Sequence, residues 1–110
     1  MSDGTARQID LYWRPGCGFC TALRRQLDAI GIERTEHNIW DDPAHAAVVR
    51  QHANGNETVP TVVVGDTGMV NPSAKELVSH LAEHAPELLP EGIELPEPGR
   101  VQRAFGKFLR

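Results

Sequence analysis

The chain has 110 residues, enough for one domain with its own core and no need of a staple. Its net charge of −4 and ordinary composition argue against a general nucleic-acid binder. No apolar run approaches the ~20 residues of a membrane span, and "MSDGTARQIDLYW" lacks a cationic start followed by an apolar core, so a cytoplasmic protein is expected.

Taken in chain order, "QIDLYW" (8–13) alternates. Ile9, Leu11 and Trp13 point one way and Gln8, Asp10 and Tyr12 the other, the period of a strand. Pro15 and Gly16 break it. From Cys17 the spacing becomes helical: Phe19, Leu23, Leu27 and Ile30 form one face, and Gly31 is a natural C-cap. "IERTEHNI" (32–39) predicts a second, polar strand near a sheet edge. In "DDPAHAAVVRQHA", Asp42 is suited to cap a helix that Pro43 begins, and "NGNE" (54–57) ends it.

"TVVVG" (61–65) is a β-branched run fit for a buried strand. "GDTG" (65–68) is turn chemistry, with Met69 and Val70 as a short partner strand. Ser73 and Glu76 make a capping box, followed by the apolar face Leu77, Val78, Leu81 and Ala82. The order is β-α-β-α-β-β-α. An early parallel pair and a late antiparallel one predict a mixed four-stranded sheet flanked by three helices.

This domain is expected over residues 1–85. Residues 86–110 form an extension: a proline- and glutamate-rich linker, then "RVQRAFGKFLR", a basic amphipathic segment. Residues 1–99 carry −8, and 100–110 carry +4 from Arg100, Arg103, Lys107 and Arg110. A terminal helix docked on the domain is the ordinary reading of that segment. A partner or an anionic surface is the alternative.

Both cysteines lie in "WRPGCGFCTALRRQL" (13–27), as Cys17 and Cys20. A structural disulfide is disfavoured in the cytosol. A tetrahedral zinc site wants four Cys or His ligands, and there is no second C-x-x-C. His80 and His84 stand four apart on a predicted helix, but such a pair is ordinarily a solvated face, and no metal is expected. C-x-x-C beside a βαβ pattern reads as a redox motif. Cys17 falls at a helix N-terminus, whose free N–H groups and dipole favour a thiolate, and Arg14 adds positive charge nearby. Cys20 lies one turn inside. Cys17 is therefore the expected nucleophile and Cys20 the resolving thiol. Pro60 in "ETVPTVVVG" must sit at a strand entry, and Val59–Pro60 is a candidate cis bond that would turn the Val59 backbone outward.

Over residues 8 to about 84 the chain resembles the glutaredoxins of the thioredoxin-fold superfamily. "CGFC" is similar to their C-P-Y-C-type site, Arg14 falls where they carry a basic residue, and "TVP" is similar to their cis-proline signature. The resemblance implies a thioredoxin/glutaredoxin fold and attack by Cys17 on a mixed disulfide between a small thiol and a protein. Arg14, Phe19, Thr58, Val59 and Pro60 would frame the thiol's groove.

One departure is informative. Where glutaredoxins carry G-G-C-D-D-L, which holds the γ-glutamyl end of glutathione, this chain has "MVNPSAKEL". "GCGFC", "NGNETVPTVVVG" and "NPSA" together resemble mycoredoxins, the relatives that serve mycothiol. Mycothiol has a sugar–inositol body and no γ-glutamate, and Asn71 and Ser73 are candidates to offer it neutral hydrogen-bonding groups. That resemblance implies mycothiol as co-substrate, no bound cofactor, client proteins as partners and a mycothiol disulfide reductase acting indirectly. Two alternatives stand beside it: a dithiol electron donor reduced by a flavoprotein reductase, and an iron–sulfur carrier.

Overall fold

The computed structural model describes residues 8–93. Its elements are β1 (Ile9–Trp13), α1 (Gly18–Ile30), β2 (Thr35–Asn38), α2 (Pro43–His52), β3 (Thr61–Val64), β4 (Thr67–Val70) and α3 (Ala74–His84), then a 3₁₀ turn over Pro86–Leu88. The sheet order is β2-β1-β3-β4. β1 runs parallel to β2 and antiparallel to β3, and β3 runs antiparallel to β4. The mixed four-stranded sheet and the polar edge strand match the sequence reading.

Strand alternation divides the core into two layers. Ile9, Leu11, Val62 and Val64 face one way and pack with Leu23 and Leu27 of α1 and Leu77, Val78 and Leu81 of α3. Tyr12 and Val63 face the other way and pack with Ile39 and with Ala46 and Val49 of α2. β3 is buried along its whole length, as its unbroken β-branched run requires. Tyr12, on the polar side of the sequence pattern, is buried because α2 covers that face.

The caps are local and fall where the sequence puts them. Asp42 accepts the N–H of Ala44, with Pro43 in the first turn of α2. Gly31 takes φ 91° and closes α1 by donating to the carbonyls of Leu27 and Asp28. Ser73 and Glu76 complete both bonds of the capping box on α3.

Four expectations are corrected. Phe19 does not join the apolar face of α1; it is 71% exposed, and Cys20, Leu23 and Leu27 are the buried residues. The β3–β4 turn is only Gly65–Asp66, because Thr67 and Gly68 pair with Val64 and Val63. Gly68 is needed inside β4 for space: a Cβ there would run into the His52 side chain at the end of α2. Ala82 is only partly buried, and Ala85 completes that face of α3. Finally, residues 86–93 are not an extended linker. Leu88, Leu89 and Ile93 pack on the α1–α3 layer, and Pro90 lies against Gly31. The basic segment 100–110 lies outside the described residues.

Candidate active site

β1 ends at Trp13, and four residues later α1 begins with Cys17 as its N-cap. The cap position fixes the sulfur. Cys17 Sγ accepts the backbone N–H of Cys20 at 3.1 Å, as a capping side chain does in the first turn of a helix. Its thiol also faces the carbonyl oxygen of Val59, 3.8 Å away. Thr21 donates both its N–H and its hydroxyl to the Cys17 carbonyl, at 3.1 and 3.2 Å, locking the cap to the next turn.

The two thiols are free and differ in setting. Cys17 keeps 8% of its surface exposed and Cys20 none. Burial pushes the Cys20 thiol up to about 12, and its hydrogen bond to Cys17 and the nearby Cys17 charge push the same way. A backbone hydrogen bond from Arg14 and the Arg14 charge oppose them. At neutral pH Cys20 is a protonated, enclosed thiol, and Cys17 is the sulfur that another molecule can reach. A Cβ on Gly18 would meet nothing, so the approach from that side is open.

The Val59–Pro60 bond is cis, as the sequence suggested. Pro60 is fully buried at the entry to β3, and Val59 is half-buried, packed toward the α2 layer. Thr58 is exposed, its carbonyl accepting the Thr61 hydroxyl at 2.8 Å. The Pro60 carbonyl accepts the N–H of Asn71 at 2.7 Å. This bond ties the loop facing Cys17 to the segment before α3. Asn71 sits there at φ 51°, a left-handed conformation that asparagine tolerates.

Between α1 and the start of α3 runs a groove of about 280 Å³. Phe19, Gln26, Asn71, Ser73 and Glu76 line it, with Ala22, Leu23 and Pro72 at its floor and sides. Phe19, Asn71 and Ser73, three of the residues singled out in the sequence, thus meet around one hollow. Arg14 stands apart from it: its guanidinium donates to the Pro15 carbonyl at 3.1 Å and lies 5.9 Å from the Trp40 ring centre.

Sequence reasoning missed Trp40, Gln26 and Glu76 as parts of this region. Trp40 is 65% exposed, and only the fold reveals its contact with Arg14. Gln26 lies seven residues after Phe19, two helical turns along the same face, a signal that was readable. Glu76 was legible as a cap and not as a groove wall.

A larger hollow, about 440 Å³, lies along α1 near β2, lined by Thr21, Arg24, Arg25, Asp28, Arg34 and Glu36. Its charges mostly satisfy one another: Arg34 pairs with Asp28 and Glu36, and Arg24 with Glu36, all at 2.9 Å. Neither cysteine is among the lining residues of either hollow, and the smaller groove is the better candidate because Asn71 in its wall is bonded to Pro60 of the loop that faces Cys17. Among the described residues no group of three or more His, Cys, Asp or Glu is placed to hold a metal. The His80 and His84 rings lie 4.7 Å apart on α3. Among the described residues no helix is long and apolar enough to cross a membrane.

The glutaredoxin family model matches residues 9–69. The Mycobacterium tuberculosis proteins named "Putative glutaredoxin Rv3198A" (strain H37Rv) and "Putative glutaredoxin MT3292" (strain CDC 1551) are each 36% identical over 78 residues, covering 70% of this chain and 93% of theirs. A glutaredoxin of Neisseria meningitidis is 29% identical over 59 residues, 54% of this chain and 69% of its own.

Among solved structures, a buckwheat glutaredoxin–glutathione complex superposes with TM-score 0.54 at 19% identity, covering 76% of this chain and 77% of that one. The holo form of glutaredoxin C1 from Populus tremula x tremuloides gives TM-score 0.50 at 16% identity, over 73% and 79% of the two chains. These structures share the fold. With a C-x-x-C at the head of α1 and the proline loop opposite it, the chain belongs to the glutaredoxin family.

Proposed function

We propose that this protein is a thiol–disulfide oxidoreductase that releases a small thiol, mycothiol, from mixed disulfides with proteins. The observation that carries the reading is the placement of Cys17. Its sulfur takes the N–H of Cys20 at the helix end and faces the Val59–Pro60 loop, which Asn71 ties to the open groove, while its partner thiol is shut away.

In the first step Cys17 sulfur, as thiolate, attacks the small-thiol sulfur of the mixed disulfide. The old S–S bond breaks, a new one joins Cys17 to the small thiol, and the client leaves as a thiolate. A second small thiol, as thiolate, then attacks that sulfur. It forms the small-thiol disulfide and returns Cys17 to its starting state. Overall one disulfide is exchanged for another: the client sulfur is reduced to a thiol, the entering small thiol is oxidised, and the small-thiol sulfur of the mixed disulfide stays in a disulfide, so the balance closes without any bound cofactor.

Mycothiol is favoured over glutathione by the chemistry of the groove. Among its lining residues Gln26, Asn71 and Ser73 are neutral hydrogen-bonding groups, and none is a cation that would hold a free carboxylate. A sugar–inositol body suits such a wall. The reducing cytoplasm is the matching compartment, with mycothiol disulfide reductase regenerating the thiol pool. The dithiol-donor alternative asks Cys20 to act as a routine nucleophile, which its burial disfavours.

The test is a turnover comparison on one client carrying mycothiol or glutathione, coupled either to the matching small thiol and its reductase or to a thioredoxin-type flavoprotein reductase. Faster release of mycothiol, driven by mycothiol, is expected. Turnover driven only by the flavoprotein reductase would overturn the reading in favour of a dithiol donor.

A further inference from the structure

We propose that Glu76 sets the thiol selectivity of the groove, disfavouring a thiol that presents a carboxylate to it and leaving the site to a thiol with a neutral, hydroxylated body. This rests on the reading of Cys17 as a thiol-exchange nucleophile and identifies what selects its co-substrate.

Three observations converge. The first is continuity. Cys17 Sγ faces the Val59 carbonyl, the Pro60 carbonyl takes the Asn71 N–H, and Asn71 lines the groove, so a thiol joined to Cys17 has its body beside that wall. The second is charge. Glu76 is the one charged residue among the groove's lining residues, and Lys75 next to it is not one of them. A carboxylate arriving there meets a like charge with no opposing base in the wall.

The third is the state of the helix end. The start of a helix ordinarily offers free N–H groups to an anion. Here the Ser73 N–H already donates to Glu76 Oε1 at 2.8 Å, and the Glu76 N–H to Ser73 Oγ at 3.0 Å. The chain's own carboxylate thus already holds one N–H of this helix start and puts its negative charge where an incoming carboxylate would approach. A hydroxylated body needs no such place and can bond to Asn71, Gln26 and the outer lone pairs of Glu76.

The size of the effect is modest and measurable. Two like charges about 4 Å apart in water repel by about 1 kcal/mol, a factor of about five in rate or affinity. Because Glu76 is exposed, salt should screen it.

The decisive variant is Glu76→Gln in the full chain. Glutamine at this position also completes a capping box, so the helix start is retained while the charge is removed. The probe is glutathione disulfide against the same disulfide with its carboxylates blocked as ethyl esters. The readout is the single-turnover rate of Cys17 adduct formation by mass spectrometry. The Cys17 thiolate attacks one sulfur, the S–S bond breaks, a Cys17 mixed disulfide forms and the other half leaves as thiolate. Wild type should prefer the ester over the acid about fivefold more strongly than Glu76→Gln does, and high salt should erase most of that difference. An ester-to-acid ratio that is equal in the two proteins at low salt overturns the proposal while leaving Cys17 exchange intact. If wild-type Cys17 forms no adduct with either probe, the exchange reading itself falls and the proposal with it.

Discussion

Cys17 Sγ and the backbone N–H of Cys20 are 3.1 Å apart, so the nucleophile is also the cap of the helix that carries its partner. One residue thus has a chemical and a structural role, and the two can be separated. Serine is a better capping residue than most, but its hydroxyl is a poor nucleophile without a base. Cys17→Ser should reduce release of a small thiol from a client to the uncatalysed background. Its unfolding free energy from urea melts should stay within about 1 kcal/mol of wild type. A destabilised, inactive variant would mean that the loss of activity reports unfolding; a stable variant with substantial activity would remove Cys17 from the mechanism.

The buried Cys20 links redox state to alkaline stability. Its thiol is pushed up to about 12 when folded, above the ordinary thiol value that it regains on unfolding. Above that ordinary value the unfolded chain loses the proton and the folded chain keeps it. The folded state then binds more protons, and stability falls as pH rises from about 9 toward 12, by at most about 1.4 kcal/mol per pH unit. Below that window the contribution is constant. Denaturant melts of the reduced protein between pH 8 and about 10.5 should therefore slope downward more steeply than those of Cys20→Ala. Parallel slopes would place the alkaline loss elsewhere.

Sequence pattern and local chemistry carried the elements and their caps, because a cap is decided within four residues. Asp42, Gly31 and the Ser73–Glu76 box needed nothing from the rest of the chain. Periodicity could not tell which faces would be covered. Phe19 fits the apolar stripe of α1 by spacing, yet it lies at the helix start, beyond the reach of the sheet, and faces the groove. Tyr12 fits a polar side, yet α2 closes over it. Prolines 86 and 90 suggested an extended path, yet Leu88, Leu89 and Ile93 find apolar surface that only the assembled α1–α3 layer offers. At the site, the thiols and the proline loop were legible as motifs. The charge of the groove was not, since it depends on α1 and α3 meeting.

Gly68 illustrates the same limit and gives a test. It looks like turn chemistry in the sequence but sits within β4, where a Cβ would come within 2.7 Å of the His52 Cβ and overlap its ring. The clash is near the root of the side chain, so a simple swing of the ring tip does not relieve it. Gly68→Ala should destabilise the protein by roughly 1–3 kcal/mol, the usual cost of overpacking. His52→Ala in the same chain should restore most of that loss, a coupling that thermal melts of the four proteins in the cycle would show. Additive effects would mean that the two side chains do not share this space.

Two routes can discharge the mixed disulfide on Cys17, and Cys20 distinguishes them. In one, Cys20 attacks within the molecule, displaces the small thiol and leaves a Cys17–Cys20 disulfide. In the other, a second small thiol enters the groove and attacks. Proximity favours Cys20, but it must lose a proton while fully enclosed. Once Cys17 is in a disulfide, the hydrogen bond and charge that it exerted on Cys20 no longer act. Burial, the largest cause of the shift, remains. An external thiol meets no such penalty, because the groove is open to solvent. Cys20→Ser should therefore retain release of mycothiol from clients to within a few-fold of wild type. The same variant should lose reduction of ordinary protein disulfides, which requires the second thiol. Trapping Cys20→Ser with oxidised mycothiol should give a single adduct on Cys17 by mass spectrometry, and added mycothiol should discharge it. An adduct that forms but resists mycothiol would show that Cys20 is obligatory and that the protein works as a dithiol reductase.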